Sequence, residues 1–193
     1  MRGKASFKAN IELEGLKREF DCAVKVILLG GPDVGKTAFF NRLLYNSFSL
    51  LKQPSVGIEV GSKLFDSSEL SVCVDFWDAA GFERTYMKNE VYHESALAAF
   101  LLYDVTSQAS LAEAAQVLAY FRERNASLMV CALGTKADLQ HLREVTPEQG
   151  REFAERHQLS WAEVSAVSCA GVEKAFVRLM LALMKVIERL DLH

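Results

Sequence analysis

The sequence predicts an α/β fold, a mostly parallel six-stranded sheet with helices on both faces. Six segments have the apolar or alternating pattern of strands, and helical patterns separate most of them. Most of these strands are predominantly apolar, which is typical of parallel strands buried on both faces. A glycine-rich loop joins the first of them to a helix, at the edge of the sheet where such folds bind ligands.

The composition is that of one globular domain. Of the 193 residues, 50% are hydrophobic and 24% are charged. The formal net charge of −3 provides no basic field, so we expect no nucleic-acid partner and a locally built site for any phosphate ligand. The four cysteines never form a C-x-x-C pair, and Cys73 and Cys131 lie in apolar runs, where we expect buried, reduced thiols.

The N-terminal region differs from the rest of the chain. Residues 1–20 mix basic with acidic side chains, and their apolar residues do not share one helical face. We therefore predict a polar N-terminal extension with little fixed structure, followed by a single domain at 21–193. The longest apolar run, 96–103, is too short to cross a membrane.

The first half of the domain contains three predicted strands, at 24–29, 56–65 and 70–78. A helix at 37–45 follows the glycine-rich loop directly. The turn cluster Asp66-Ser67-Ser68-Glu69 separates the last two strands, which favours a hairpin.

The second half alternates strand and helix. We predict buried strands at 97–104, 128–134 and 159–164. Apolar residues at three- and four-residue spacing mark helices over 111–121 and 172–190. Thr146 and Pro147 begin a further helix before the last strand, as a capping hydroxyl followed by a proline in the first turn.

Residues 30–37, Gly-Gly-Pro-Asp-Val-Gly-Lys-Thr, fit the phosphate-binding pattern G-x-x-x-x-G-K-[ST]. The glycines let successive N–H groups face a phosphate, and the following helix adds its positive N-terminal end. Lys36 would reach the outer phosphates as a binding and catalytic group, and the Thr37 hydroxyl would bind magnesium. The alternative is a plain glycine turn between strand and helix. The nucleotide-binding residues predicted here are Asp33, Val34, Gly35, Lys36, Thr37 and Ala38.

A second motif, Asp78-Ala79-Ala80-Gly81, lies at the end of the strand at 70–78. The Asp78 carboxylate could hold magnesium through water, and the Gly81 amide could approach a terminal phosphate. Alone, an aspartate at a strand end is more often a turn former. In its position after a phosphate loop, the motif indicates a nucleotide site.

A third motif, Thr135-Lys136-Ala137-Asp138, follows a buried strand directly. Guanine presents a ring N–H and an NH₂ group side by side, and one aspartate can accept both. Adenine has an acceptor at the corresponding ring nitrogen and would leave the aspartate unpaired. Such a mismatch costs several kcal/mol, or about a thousandfold in affinity. The alternative is a solvated lysine beside a turn aspartate.

Together these motifs resemble the Ras superfamily of small GTPases, and the match extends from residue 22 to about residue 188. The Rab branch is the most similar. Its segments are matched by Trp77-Asp78-Ala79-Ala80-Gly81, Tyr103-Asp104-Val105-Thr106-Ser107 and Glu148-Gln149-Gly150, and by Gly57 after Ser55-Val56. The resemblance implies a P-loop NTPase G domain that binds GTP or GDP with Mg²⁺.

The resemblance also implies roles for residues outside the three motifs. Phe48 would pack against the guanine, and Ser55 would give magnesium a second hydroxyl. Ser165-Ala166 would place a backbone N–H, that of Ala166, at the guanine carbonyl. Val167, which completes the predicted nucleotide-binding set, stands where the family has a lysine. Effector proteins would bind a surface formed by Val56, Gly57, Ile58, Val60, Trp77 and Tyr92, in which Val60 replaces an aromatic residue.

Two departures from the family predict slow hydrolysis. Phe82 stands where the family has a glutamine that orients the attacking water, and a phenyl ring can neither donate nor accept a hydrogen bond. Pro32 lacks an N–H, and its ring occupies space where an activating protein would insert an arginine. Such an arginine raises the rate of hydrolysis by about 10³–10⁵-fold. We expect intrinsic hydrolysis on the order of 10⁻⁴ s⁻¹ or less, and a weak response to most activating proteins.

The C-terminal tail departs as well. Rab proteins end in a flexible segment with cysteines for prenylation, whereas this chain ends Asp191-Leu192-His193 with no cysteine after Cys169 and no visible lipid anchor. We expect either a cytoplasmic member that partners recruit to endomembranes or a truncated sequence. The expected partners are effectors, exchange factors and activating proteins.

The sequence leaves three functions open. The first is a GTP/GDP switch in vesicular trafficking, with loops around Ser55 and Gly81 that order around magnesium and the terminal phosphate. The second is a pseudo-GTPase, a nucleotide-stabilised module in a trafficking or ciliary transport complex, which Phe82 and Pro32 favour. The third is a P-loop metabolic kinase, against which the motif at 135–138 argues.

Overall fold

The computed structural model describes residues 9–13, 16–49, 57–68, 70–79 and 90–190. Within them the strands are β1 (Ala9–Leu13), β2 (Leu16–Phe20), β3 (Cys22–Leu29), β4 (Glu59–Asp66), β5 (Ser71–Asp78), β6 (Ala96–Asp104), β7 (Met129–Thr135) and β8 (Ser160–Glu163). The helices are α1 (Lys36–Tyr45), α2 (Glu90–His93), α3 (Gln108–Arg124), α4 (Pro147–Arg156) and α5 (Val172–Leu190), and Gln140–Leu142 form a 3₁₀ turn. No helix in the described part of the chain is both long and apolar enough to span a membrane.

The main sheet has the strand order β4-β5-β3-β6-β7-β8. β4 runs antiparallel to β5 as the predicted hairpin, and all other neighbours are parallel. The predicted α/β class, with a mostly parallel six-stranded sheet, is therefore confirmed. Because parallel strands end at the same edge, the loops that follow β3, β5, β6, β7 and β8 come together there.

Helices cover both faces of this sheet, as predicted. One apolar cluster joins Phe76 and Phe100 of the sheet to residues of α1 and α5, including Phe176. The other joins Leu101 and Tyr103 to residues of α3 and α4. With both faces of its central strands buried, the sheet is a rigid base for the loops at its edge.

The N-terminal region contains a two-stranded sheet, in contrast to the polar extension with little fixed structure expected from the sequence. β1 and β2 pair antiparallel, with Ala9 opposite Phe20 and Leu13 opposite Leu16. The expectation of little fixed structure is therefore wrong for these ten residues. It rested on the mixed charges and on helical spacing, whereas Ala9, Ile11 and Leu13 follow the two-residue period of a strand.

Two cysteines are buried in the main sheet, as predicted. Cys73 and Cys131 are free thiols inside the protein. Burial, followed by the nearby Asp75 carboxylate, raises the pKa of Cys73 to about 11, and burial also raises the pKa of Cys131. Both thiols therefore stay protonated at neutral pH, and protonated thiols are poor nucleophiles.

Candidate functional site

The phosphate loop, which is the motif at residues 30–37, connects β3 to α1 through a sharply curled backbone. Gly30, Asp33 and Gly35 have φ angles of 141°, 57° and 95°. The left-handed conformation is strained for residues with a side chain, although aspartate tolerates it better than most. The structure thus places the loop of the sequence motif directly at the start of α1, where its N–H groups can form an anion-binding nest.

Lys36 is held inside this loop. Its side chain is only 3% exposed, although lysine is among the residues least often fully buried. The ammonium donates hydrogen bonds to the carbonyl oxygens of Gly30 at 3.1 Å and Gly31 at 2.6 Å. The positive charge is therefore fixed beside the amides that would hold a phosphate.

Gly30 makes the close approach of the loop to β6 feasible. We expect Gly30→Ala to lower the free energy of unfolding by about 2 to 4 kcal/mol, because its Cβ would lie 2.4 Å from the Leu102 carbonyl oxygen at a φ of 141°. Gly57→Ala is the matched control, since Gly57 has a φ of 101° but its Cβ would meet no described atom within 4 Å. Urea unfolding measures both losses. Equal losses would contradict the proposed clash.

Thr37 and Asp78 supply the oxygen atoms that suit a magnesium ion. The Thr37 hydroxyl donates to Asp78 Oδ2 at 2.5 Å, and Asp78 is 1% exposed at the end of β5. Among the described residues, no group of three or more histidine, cysteine, aspartate or glutamate residues could form a metal cage. One carboxylate and one hydroxyl fit Mg²⁺, which usually keeps water and binds substrate phosphates in its remaining positions.

The loops after β7 and β8 are joined through Asp138. Its Oδ1 atom accepts a hydrogen bond from the Ser165 hydroxyl at 2.6 Å, and Ser165 Oγ accepts one from the Ser168 N–H at 3.0 Å. The backbone adds a third link, from Ala137 N–H to the Val164 carbonyl. Ser165 is buried while Asp138 is exposed, so the aspartate is held from behind and faces solvent.

Lys136 is fixed by Asp104, an aspartate outside the three sequence motifs. Its Nζ atom lies 2.5 Å from Asp104 Oδ2, and its φ angle is 58°. The other Asp104 oxygen accepts hydrogen bonds from the Thr106 N–H at 2.8 Å and the Thr106 hydroxyl at 2.7 Å. The end of β6 therefore holds the loop that follows β7.

Thr135 connects the phosphate loop to the Asp138 loop, which is the loop that follows β7. Its buried hydroxyl lies 2.5 Å from the Val34 carbonyl oxygen and 3.0 Å from that of Tyr103, and it donates to them. Val34 belongs to the phosphate loop, whereas Thr135 ends β7. The two sequence motifs, about a hundred residues apart, are thus in direct contact.

A second ion pair braces the same region. Arg143 donates two hydrogen bonds to the Glu163 carboxylate, at 2.7 and 3.0 Å. These bonds raise the pKa of Arg143, with burial acting against them. Arg143 follows the Asp138 loop and Glu163 ends β8, so the pair ties both loops together. No local sequence pattern marks either residue.

The residues predicted to contact effectors are not all on the surface. Ile58 and Val60 are 37% and 48% exposed, and Gly57 is partly buried. Trp77 is partly buried, with Lys25 Nζ 3.7 Å from the centre of its ring. Burial lowers the pKa of Lys25, and the charge of Glu94 partly opposes this shift.

The prediction that Tyr92 belongs to this surface is wrong. Tyr92 is 0% exposed, and its hydroxyl donates to the carbonyl oxygens of Leu28 at 2.7 Å and Trp77 at 3.0 Å. In this structure the side chain therefore anchors α2 to the sheet and offers no surface to a partner. A hydroxyl that finds acceptors inside the protein favours burial of the ring.

Of the remaining predicted residues, some lie in the described part of the chain and others lie outside it. Phe48 and Ala38 are partly buried, Ala166 is partly buried, and Val167 is 52% exposed. Four residues lie outside the described part of the chain, namely Ser55, Val56, Gly81 and Phe82.

Comparison with known proteins gives a consistent result over most of the chain. A sequence profile of the Ras family matches residues 25–185. The chain is 32% identical over 179 residues to the Ras-related protein Rab-11A of Dictyostelium discoideum, covering 91% of this chain and 83% of the relative. It is 33% identical over 172 residues to Ras-related proteins Rab11D of Lotus japonicus and RABA1f of Arabidopsis thaliana, covering 89% of this chain and 79% of each relative.

Proposed function

The chain belongs to the Ras family of small GTPases, and on this premise we propose that it is a Rab-like switch that binds GTP or GDP with Mg²⁺. One observation carries the proposal. The buried Lys36 ammonium, the Thr37 and Asp78 pair and the exposed Asp138 carboxylate follow strands that end at one edge of the sheet. A nucleotide needs these groups together, for its phosphates, its metal ion and its base.

The phosphate end of the site would use three side chains. Lys36 would contact the outer phosphates without leaving the loop carbonyls that orient it. Thr37 and Asp78 would hold the magnesium ion, together with Ser55. A bound magnesium ion would neutralise charge that develops on the outer phosphates. The loop amides from Asp33 onward would complete the anion site.

The base end would select guanine. Asp138 would accept the ring N–H and the NH₂ group of guanine, and its link to Ser165 leaves the carboxylate facing solvent. Lys136, held by Asp104, and Phe48 would cover the two faces of the base. The backbone N–H of Ala166 or Val167 would meet the guanine carbonyl.

We also propose a role in vesicular trafficking, because the relatives of the chain are Rab proteins. Effectors would distinguish the GTP from the GDP state through the loops around Ser55 and Gly81 and the exposed residues Ile58 and Val60. Exchange factors and activating proteins would set the balance of states. Partners would recruit the protein from the cytoplasm to endomembranes.

Slow hydrolysis is part of the proposal, and Phe82→Gln tests it. We expect this change to raise the intrinsic rate constant of GTP hydrolysis by about tenfold or more, because a glutamine amide can orient the attacking water. Single-turnover hydrolysis of bound GTP measures the rate constant. Phe82→Leu is the control, since leucine has no polar group. If glutamine and leucine give the same rate, water positioning is blocked elsewhere, with Pro32 the first residue to test.

The second candidate is a pseudo-GTPase, and Pro32 is the observation that favours it. Pro32 lies exposed in the phosphate loop, and it offers no N–H to a phosphate. The same single-turnover experiment, repeated with a panel of activating proteins, separates the two candidates. Retention of GTP for many hours under all conditions would support the pseudo-GTPase and exclude a switch driven by hydrolysis.

A further inference from the structure

Arg42 connects the helix that follows the phosphate loop to the loop that follows β8. Its Nε atom donates to the Ala166 carbonyl oxygen at 2.6 Å across 124 residues of sequence. Its Nη1 atom donates to the carbonyl oxygen of Asn46 at 2.7 Å and to the Asn46 side chain at 3.0 Å. One guanidinium group therefore holds the C-terminal end of α1 and the Ala166 peptide together.

The bond to Ala166 fixes the direction of the next amide. In a trans peptide the carbonyl oxygen and the following N–H point in opposite directions within one rigid plane. With the Ala166 oxygen turned toward Arg42, the Val167 N–H points away from α1. Arg42 thereby determines the orientation of this peptide, even though it does not lie in any motif of the sequence.

We propose that Arg42 is a positioning residue for base recognition, which holds the peptide at 166–167 so that its Val167 N–H meets the guanine carbonyl beside the Ala166 N–H. The inference rests on the proposed function. Different side chains would then position the groups that recognise the two edges of the base. Asp138, braced by Ser165, reads the ring N–H and NH₂ group, whereas Arg42 orients the group that reads the carbonyl.

The experiment compares GDP affinity of the wild type with that of Arg42→Ala. The arginine provides a charge-assisted hydrogen bond, so we expect Arg42→Ala to weaken GDP binding by about tenfold. Arg42→Lys keeps the charge but lacks the fork that bridges Ala166 and Asn46, and we expect an intermediate loss. Arg122→Ala is the matched control, because Arg122 donates to the His157 carbonyl oxygen at the same distance of 2.6 Å on α3. We expect it to leave GDP affinity unchanged.

A second nucleotide separates positioning from general loosening of the fold. In 6-thioguanosine diphosphate, sulfur replaces the carbonyl oxygen, and sulfur is a weak acceptor. If Arg42 acts through the carbonyl contact, Arg42→Ala weakens binding of this analogue by about threefold or less. The effects of the substitution and of the sulfur atom on affinity are then not additive. Ser165→Ala, which affects the opposite edge, should weaken both nucleotides equally.

Equal losses with GDP and the thio analogue would overturn the inference, as would unchanged GDP affinity in both Arg42 variants. If Arg42→Ala does not fold, the same comparison with Arg42→Lys decides. If the wild-type protein binds GDP and the Arg42 variants bind GDP equally tightly, the inference alone is refuted. A wild-type protein that does not bind GDP refutes the proposed function, and the inference with it.

Discussion

Lys36→Ala is expected to weaken binding of both GTP and GDP by about a thousandfold. The wild-type ammonium is buried and held by the carbonyl oxygens of Gly30 and Gly31. Without it, the outer phosphates would enter a loop with two uncompensated carbonyl dipoles and no fixed positive charge. Removing one partner of a buried charged pair costs about 3–5 kcal/mol, and 4 kcal/mol corresponds to about a thousandfold. Equilibrium titration of nucleotide-stripped protein measures both affinities.

The control for this prediction is Lys174→Ala, which removes an exposed lysine from α5. It changes the net charge equally but should alter nucleotide affinity by less than about twofold, because charges far apart on the surface are screened. If Lys36→Ala binds GDP as tightly as Lys174→Ala does, the loop does not hold the nucleotide phosphates.

Asp138→Asn is expected to change the choice of base. Guanine offers two donors to the carboxylate, whereas xanthine offers one donor and, in place of the NH₂ group, a carbonyl oxygen. An asparagine amide has one acceptor and one donor group, so it matches xanthine and leaves the guanine NH₂ group facing another donor. We expect GDP affinity to fall by about a thousandfold and xanthosine diphosphate to become the preferred ligand. Competition between the two diphosphates measures the preference.

Asp66→Asn is the matched control for this change. Asp66 also accepts a hydrogen bond from a serine hydroxyl, that of Ser71, but it ends β4 beside the hairpin turn and does not lie at the edge of the sheet where the parallel strands end. Its substitution should leave the preference for GDP unchanged. A variant Asp138→Asn that still prefers GDP would show that another group selects the base.

Local patterns were sufficient to predict the fold and to select candidate site residues that follow strands ending at one edge of the sheet. Predominantly apolar segments marked the parallel strands, and each observed strand of the main sheet overlaps a predicted one. The phosphate loop is contiguous in sequence, so its glycines, Lys36 and Thr37 could be recognised together. The position of Asp138 directly after β7 was equally visible, because the end of a strand determines the edge at which its loop lies.

The supporting contacts could not be predicted, because they join residues far apart in sequence. Arg42 and Ala166 are separated by 124 residues, and the pairing of β8 with β7 brings Glu163 to the loop that contains Arg143. The burial of Tyr92 depends on two carbonyl acceptors that the folded sheet provides. Side-chain contacts of this kind follow from the packing of elements and not from the periodicity within any one of them.

The preference of the purified protein for guanine over adenine nucleotides tests the central claim most directly. The protein would be stripped of bound nucleotide and titrated with GDP and with ADP in the presence of Mg²⁺. The arrangement of Lys36, Thr37, Asp78 and Asp138 predicts tight binding of GDP and a preference over ADP of about a thousandfold. Equal affinity for GDP and ADP, or binding of neither, would contradict it.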